Sequence, residues 1–225
     1  MYNEGATVER MRVLNRGSAT SKDFYCQPYK SSTLDKPKHY IVLDVHVQQK
    51  ASEIGGWKKM NDLKISIVTV YCSKKDSVLV FKEEDIPSLI ELCYKRVVVG
   101  YGIKRIDLIV LAAYGLDITK CKFFDMMVNL EAQLWGPFLK LNSVLLGTLN
   151  KTLEFNPVEL YKEENMDELV KLGTEHVEMI HELFVYGKTN SHIIVKEMEL
   201  VGEDEDKKEI EVENKIPVSW KMLVK

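Results

Sequence analysis

Two side chains that could do chemistry stand close together in an otherwise apolar run of the sequence. Asp44 and His46 lie within residues His39–Val47, where most of the other side chains are apolar or aromatic. Such a run is typical of a buried β-strand, in which successive side chains point to opposite faces. The strand geometry therefore places Asp44 and His46 on one face, roughly 7 Å apart. A carboxylate and an imidazole in that arrangement can hold a metal ion together or hydrogen-bond to each other.

The segments that follow this strand predict a mixed β-sheet with helices. Leu63–Cys72 and Val78–Phe81 have the composition of two further strands, and their short connections favour an antiparallel meander. Helical and strand patterns then alternate, which is typical of α/β proteins. The predicted helices are Glu83–Lys95, Arg105–Tyr114, Met126–Leu134, Ser143–Leu149, Val158–Glu163 and Met166–Tyr186, and the later strands are Val97–Val99 and Lys122–Phe124.

Particular residues mark the ends of these helices. Asn156 and Pro157 predict an N-cap and a first helical position, and Asn165 predicts the N-cap of the long helix that follows. Asp125 is favoured as a helix N-cap rather than as a cleft residue. Gly187 predicts the end of the long helix, because glycine adopts the left-handed conformation that often follows a last helical turn.

The last predicted element is a hairpin over His192–Val201 and Lys208–Val212, with an acidic, solvated tip. The elements together predict an α/β fold with a mixed five-stranded sheet, an antiparallel meander followed by parallel strands, flanked by helices and completed by the C-terminal hairpin. Residues 1–37 lack a sustained pattern and are predicted to be an N-terminal extension that is partly ordered at best. Residues 38–225 are predicted to form one domain.

The composition is that of an ordinary globular protein and sets limits on its partners. Hydrophobic residues make up 45% and charged residues 29%, and the formal net charge is −3, so any binding to nucleic acid requires a local basic patch. The four cysteines have no paired spacing, which argues against a zinc site or a disulfide framework and favours a cytoplasmic location. No apolar run approaches the roughly 20 residues that span a bilayer, so no membrane association is expected.

Several segments in order along the chain carry a resemblance to a known family. They are Leu43–Val45, the turn Gly55–Trp57, Val98–Tyr101, Ile103–Asp107, Phe124–Asp125, Leu141–Ser143, Leu183–Gly187 and Pro217–Trp220. With them the chain from Tyr40 to Trp220 resembles the ribonuclease-H-like 3′-5′ exonucleases of the DnaQ-like group, in their helicase-associated, uncharacterised prokaryotic branch. The resemblance implies a ribonuclease-H-like fold and phosphodiester hydrolysis by two Mg²⁺ or Mn²⁺ ions held by four carboxylates.

When the family's site residues are matched to this sequence by position, the resemblance implies two metal-binding carboxylates and several positions that differ from the family. Asp44 corresponds to the shared first metal ligand and Asp107 to a further carboxylate ligand. His46 stands where the family has glutamate and His176 where it has aspartate. In addition, Gly102 replaces an asparagine and Leu172 replaces the tyrosine that would position the attacking water. Most of the signature positions are therefore changed, and the chain is not expected to be an ordinary Mg²⁺-dependent exonuclease.

Two interpretations of the changed site stay open at this point. In the first, which is favoured, the site is eroded and the histidines hydrogen-bond to the surviving aspartates in a catalytically weak or inactive protein. In the second, Asp44, His46, Asp107 and His176 bind a single divalent metal, Mn²⁺ or Zn²⁺ rather than Mg²⁺, with or without catalysis. Whether the chain is an enzyme is therefore open, and a scaffold protein without nucleic-acid binding is a further alternative.

Candidate nucleic-acid contacts lie beside the predicted cleft. Trp57 could stack on a terminal base, although packing over the edge of the sheet is favoured for it. The basic residues Lys58, Lys59, Lys104 and Arg105 could follow a phosphate backbone, together with Lys64, Lys74 and Lys75 on the neighbouring strands and loops. Solvated lysines that block pairing at a sheet edge are an equally good interpretation. The expected partners are single-stranded or 3′-terminal nucleic acid and, through the resemblance, a helicase or a DNA-repair protein.

Overall fold

A mixed five-stranded sheet forms the centre of the computed structural model, which describes residues 39–134, 139–201 and 208–220. Its strands are β1 (Tyr40–Val47), β2 (Ile65–Cys72), β3 (Ser77–Phe81), β4 (Val97–Gly100) and β5 (Lys122–Asp125), in the order β3-β2-β1-β4-β5. β1, β2 and β3 pair in antiparallel fashion, whereas β1, β4 and β5 pair in parallel. The predicted meander followed by parallel strands is therefore confirmed, in the arrangement of a ribonuclease-H-like sheet.

Helices flank this sheet on both faces. They are α1 (Ile86–Lys95), α2 (Asp107–Ala113), α3 (Met126–Leu134), α4 (Leu141–Leu149), α5 (Pro157–Lys162) and α6 (Met166–Asn190). One apolar cluster packs Leu43 of β1 against α1 and α2, and a second packs Val42 of β1 against α4 and α6. Neighbouring residues of β1 thus enter different cores, as the alternation of strand side chains requires. In the part of the chain that the structure describes, no helix combines the length and apolarity needed to cross a membrane.

The predicted C-terminal hairpin is present and longer than expected. β6 (His192–Val201) pairs in antiparallel fashion with β7 (Lys208–Pro217), whose end lies beyond the predicted Val212. The hydroxyl of Thr148 on α4 donates to the carbonyl of Ile194 at 2.8 Å and accepts the Ile194 N–H at 3.0 Å. These two bonds attach the hairpin to α4. The acidic tip lies outside the described residues.

The three predicted N-cap residues are confirmed, whereas the helices predicted from Glu83, Arg105 and Ser143 begin at Ile86, Asp107 and Leu141. The side chain of Asn156 accepts the N–H of Glu159, and Pro157 is the first residue of α5. Asn165 caps α6 by accepting the N–H of Glu168. Asp125 accepts the N–H of Met127 at 3.1 Å and so caps α3, as the side-chain chemistry of N-caps predicts.

The predicted end of the long helix at Gly187 is wrong. α6 continues to Asn190 and is followed by the C-cap residue Ser191, which has a φ of 60°. A β-carbon at Gly187 would lie only 2.2 Å from Cε3 of Trp220, an indole that is fully buried. The glycine therefore makes room for the Trp220 ring in the middle of the last turns and does not terminate the helix.

Three segments connect these elements as short 3-10 helices that matter for the site. Ala51–Ile54 and Trp57–Asp62 link β1 to β2, and Glu83–Asp85 leads into α1. The predicted extension over residues 1–37 lies outside the described residues, so its boundary with the domain stays a prediction. Cys72 and Cys93 are buried, free thiols in the core, as expected for cysteines without paired spacing.

Candidate functional site

The site forms where β1 extends beyond its neighbour β4. β4 pairs with β1 only from Tyr40 to Val42, so the backbone further along that edge needs other partners. The carboxylate of Asp107, the first residue of α2, accepts the Val45 N–H at 2.7 Å. Asp107 is buried. It therefore caps the open edge of β1.

The structure brings the other three predicted site residues together, Asp44 and His46 from β1 and His176 from α6. Oδ2 of Asp44 lies 2.5 Å from Nδ1 of His176 on α6. The same oxygen lies 3.3 Å from Nε2 of His46. One carboxylate oxygen is thus shared by two imidazoles from different elements. We call Asp44, His46 and His176 the Asp–His cluster.

Tight packing surrounds the imidazole of His46, which is only 3% exposed. Its Nε2 lies 3.3 Å from Oγ1 of Thr69 on β2. A β-carbon at Gly173 of α6 would come within 3.0 Å of the same nitrogen, so the absence of a side chain lets the helix approach. The ring of Phe155 packs edge-on against His46 with centroids 5.0 Å apart, and it also contacts the ring of His176 at 5.8 Å.

The charges within the Asp–His cluster balance one another. Burial alone would raise the pKa of Asp44, but the charges of His46 and His176 and the His176 hydrogen bond lower that pKa to about 2. Burial disfavours the charged form of His176, yet the carboxylate of Asp44 raises its pKa above the usual value. For His46 burial dominates and lowers the pKa. The favoured state is therefore an Asp44 carboxylate paired with a charged His176 beside a neutral His46.

Asp107 behaves differently from Asp44. Burial and the negative charge of Asp44 raise its pKa well above the usual value of a carboxyl group. This shift favours the neutral acid, which can still accept the Val45 N–H through its carbonyl oxygen. The two surviving carboxyl groups therefore do not act as a pair of anions.

The two-cation site that the resemblance implies does not fit these residues as they are placed. Two Mg²⁺ or Mn²⁺ ions require several carboxylate oxygens, whereas two of the positions here carry imidazoles that face the Asp44 oxygen directly. Asp107 is committed to the backbone of β1. Across residues 39–134, 139–201 and 208–220, no three His, Cys, Asp or Glu side chains are arranged to hold a metal ion.

The candidate nucleic-acid residues fall into two groups. Trp57 is 71% exposed, so its expected packing over the sheet edge is wrong, and Lys58 and Lys59 beside it are exposed as well. Arg105 instead donates to both carboxylate oxygens of Glu131, at 2.8 and 2.9 Å. The ammonium of Lys104 lies 5.2 Å from the centre of the Phe123 ring. Among the described residues, Trp57, Lys58 and Lys59 present their side chains to solvent and make no ion pair or ring contact of this kind.

Two lysines that the sequence grouped with the cleft lie elsewhere. Lys74 and Lys75 are in the turn after Cys72, and Cys72 pairs with Ile41 near the start of β1. Asp44 and His46 belong to the later half of β1, toward Val47. The turn is therefore at the other end of the sheet, and its placement beside the cleft was wrong.

Sequence inspection missed three residues that shape the site. Thr69 is a fully buried polar residue in an apolar strand, and that contrast was a usable signal. Gly173 is an interior helix glycine, which usually has a packing reason. Phe155 precedes the Asn156 N-cap in an irregular segment, and no local pattern distinguishes it.

An open depression lies next to the end of β1. It has a volume of about 520 Å³ and is lined by Gln48, Gln49, Tyr161, Lys162, Glu164 and Met166. Two ion pairs lie beside it, one between Lys50 and Glu159 and one between Lys162 and Glu53. The depression therefore lies between the β1–β2 connection and the junction of α5 with α6.

Comparisons with known proteins identify no family for the chain. No protein-family model matches it, and no curated protein matches it. Among solved structures, it is similar to the family B DNA polymerase from the hyperthermophilic archaeon Pyrobaculum calidifontis, with 12% sequence identity and a TM-score of 0.46. The similarity covers 72% of this chain but only 26% of the polymerase chain. The fold assignment therefore rests on the order and directions of the strands.

Proposed function

We propose that this chain is a nucleic-acid-associated protein that keeps an exonuclease-type fold without exonuclease activity. The observation that carries the proposal is the Asp–His cluster, in which both imidazoles contact Asp44, the carboxylate that the resemblance assigns as the shared first metal ligand. A carboxylate with two such partners is already compensated. It has little to gain from binding a hard divalent cation.

The charge of the site supports the same proposal. A site for two divalent cations gathers several negative charges, which the cations then neutralise. Here the negative charge of Asp44 is matched by His176, and the raised pKa of Asp107 favours its neutral form. A divalent cation in this position would be repelled by His176 and would gain few oxygen ligands.

The proposed partner is single-stranded or 3′-terminal nucleic acid. Trp57, Lys58 and Lys59 offer an aromatic ring and two positive charges to solvent, which is the chemistry that binds single strands. In the proposal, a helicase or a DNA-repair protein delivers or receives that strand, as the family resemblance suggests. The chain then recognises the strand and leaves cleavage to another protein.

A nuclease and binding assay with the full chain tests this function. A 5′-labelled single strand is incubated with Mg²⁺, Mn²⁺, Co²⁺ or Zn²⁺ in parallel, and binding of the same strand is followed by fluorescence anisotropy at rising salt. We expect binding that weakens steeply with salt and no cleavage with any of the metals. Cleavage that disappears in Asp44→Asn would contradict the proposal and favour the single-metal nuclease. Cleavage that survives in Asp44→Asn comes from a contaminant, and the preparation is then repurified and assayed again.

A further inference from the structure

We infer that Trp57 is a stacking platform for one base of a single strand, with Lys58 and Lys59 on the adjoining phosphates. This inference deepens the proposed function and rests on it, because it locates the strand on a particular surface. The platform is defined as Trp57, Lys58 and Lys59. It belongs to the 3-10 helix Trp57–Asp62 between β1 and β2.

The exposure of Trp57 distinguishes it from the other large apolar side chains. It is 71% exposed, whereas Trp220 is fully buried and the next most exposed of the described residues, Val185, reaches 40%. A single exposed apolar side chain is ordinary in a soluble protein. The surroundings of Trp57 are what point to a ligand.

The platform is preceded by two glycines and is attached to the core through Met60. Gly55 and Gly56 have φ values of 95° and 94°, in the region that favours glycine. Met60 is 5% exposed and anchors the other side of the 3-10 helix in the core. A β-carbon at Gly56 would meet no atom within 4 Å. The chain next to Trp57 is therefore open to solvent at Gly56, whereas the side chain of Lys59 lies close to Gly55.

The charges beside Trp57 favour a polyanion. Lys58 and Lys59 are exposed, and neither makes an ion pair with any residue in the described ranges. Lys50 and Lys162 nearby are, by contrast, paired with Glu159 and Glu53. Aromatic stacking combined with uncompensated lysines is how single strands are bound without sequence preference.

The platform and the Asp–His cluster are linked through β1. β1 ends shortly after His46, and the chain then passes through the platform before β2 begins. The 3-10 helix Trp57–Asp62 contacts α2, whose first residue is Asp107. α2 is only about 10 Å long, given its seven residues and 1.5 Å per residue. The platform and the Asp–His cluster therefore adjoin the same end of β1, the end at Val47.

The residue types around Trp57 favour nucleic acid over a protein partner. A peptide or protein would bury the indole among further apolar side chains. The residues that share the 3-10 helix with Trp57 are Lys58, Lys59, Met60, Asn61 and Asp62, and of these only the buried Met60 is apolar. A nucleobase can stack on the exposed face of the indole ring without further apolar neighbours. The phosphates on either side can pair with the lysine ammonium groups.

Binding measurements on the full chain test the platform. Fluorescein-labelled oligo-dT and oligo-U are titrated with wild type, Trp57→Ala, Trp57→Phe, Lys58→Ala/Lys59→Ala and the control Lys74→Ala/Lys75→Ala, which removes the same charge at the other end of the sheet. We expect Trp57→Ala to weaken binding about tenfold, the range for one stacked base, and Trp57→Phe to keep part of the affinity. Lys58→Ala/Lys59→Ala should make the plot of log affinity against log salt shallower, with a slope smaller in magnitude by about 1.4. Binding to both oligonucleotides supports a contact through the base face and the phosphates, and binding to one alone would contradict it, because the thymine methyl group or the sugar would then decide binding.

The outcomes separate the platform from the proposed function. If wild type binds and the Trp57 and Lys58/Lys59 variants bind equally well, the platform is overturned while nucleic-acid binding stands. An equal loss in the Lys74/Lys75 control would also overturn it, because net charge alone would then explain the binding. If wild type binds neither oligonucleotide even at low salt, both the platform and the nucleic-acid association fail, and a protein partner is favoured. Circular dichroism of each variant verifies that the fold is retained.

Discussion

At the residue scale, Asp44 decides how the site is interpreted. The sequence placed Asp44 and His46 on one face of a strand from periodicity alone. The approach of His176 followed only from the family resemblance, because it lies 130 positions after His46. What neither argument provided was the geometry in which a single carboxylate oxygen contacts both imidazoles. Thr69 and Phe155 complete that geometry, and Phe155 could not be found because it follows no helical or strand pattern.

Removing His176 should therefore destabilise the fold in a pH-dependent way. We expect His176→Ala to lower the free energy of unfolding by about 2 kcal/mol near pH 5.5, because it leaves the buried Asp44 charge without its partner. The pKa of His176 is raised above 6.5 in the folded state, so its contribution is fully present below pH 6.5 and is lost as the pH rises through the folded pKa. Denaturant unfolding of wild type and variant at pH 5.5 and pH 9 measures the difference.

The pH dependence of Asp44 and a control variant on the same helix complete this prediction. The pKa of Asp44 is lowered from 3.8 to about 2. Its contribution to the free energy of unfolding is therefore present above pH 3.8 and is lost as the pH falls through about 2. Glu178→Ala, at an exposed position of the same helix, serves as the control and should change stability by less than about 0.5 kcal/mol. A destabilisation by His176→Ala that grows between pH 5.5 and pH 9 would contradict the charged pair.

At the element scale, α6 shows where local sequence rules were sufficient and where they were not. Its start was predictable, because Asn165 is an N-cap that acts on the next turn of the same segment. Its end was not, because Gly187 is required by Trp220, a residue that is distant in sequence and packs on the helix only after folding. Tertiary contacts therefore overrode the usual role of a glycine near a helix end.

Gly187→Ala should consequently destabilise the protein despite the better helix propensity of alanine. The added methyl group would lie 2.2 Å from the Trp220 ring, and that ring is held by a 2.7 Å hydrogen bond to Asn129. We expect a net loss of about 1 to 2 kcal/mol, because overpacking outweighs the roughly 1 kcal/mol that alanine contributes in a helix. Thermal unfolding measures it, with the exposed Thr189→Ala as control. An increase in Tm for Gly187→Ala would show that Trp220 can move aside.

At the scale of the whole molecule, the fold was largely predictable and the site only in part. Alternating strand and helix patterns predicted the mixed sheet, and the strand order β3-β2-β1-β4-β5 agrees with it. Surface contacts were harder to predict, because exposure depends on the packing of distant elements. Trp57 was expected to be covered and is exposed, whereas Arg105 was expected to be available and is held by Glu131. Because the net charge is −3, the proposed nucleic-acid binding depends on a local surface such as the platform.

We propose as the central claim that the Asp–His cluster takes the place of the metal ions that the family resemblance implies. Calorimetric titration of Mn²⁺ into wild type and into His46→Glu/His176→Asp tests it most directly, because the variant restores carboxylates at both changed positions. We expect no saturable binding to wild type, and saturable binding to the variant that is lost when Asp44→Asn is added. Saturable Mn²⁺ binding to wild type that disappears in Asp44→Asn would contradict the claim.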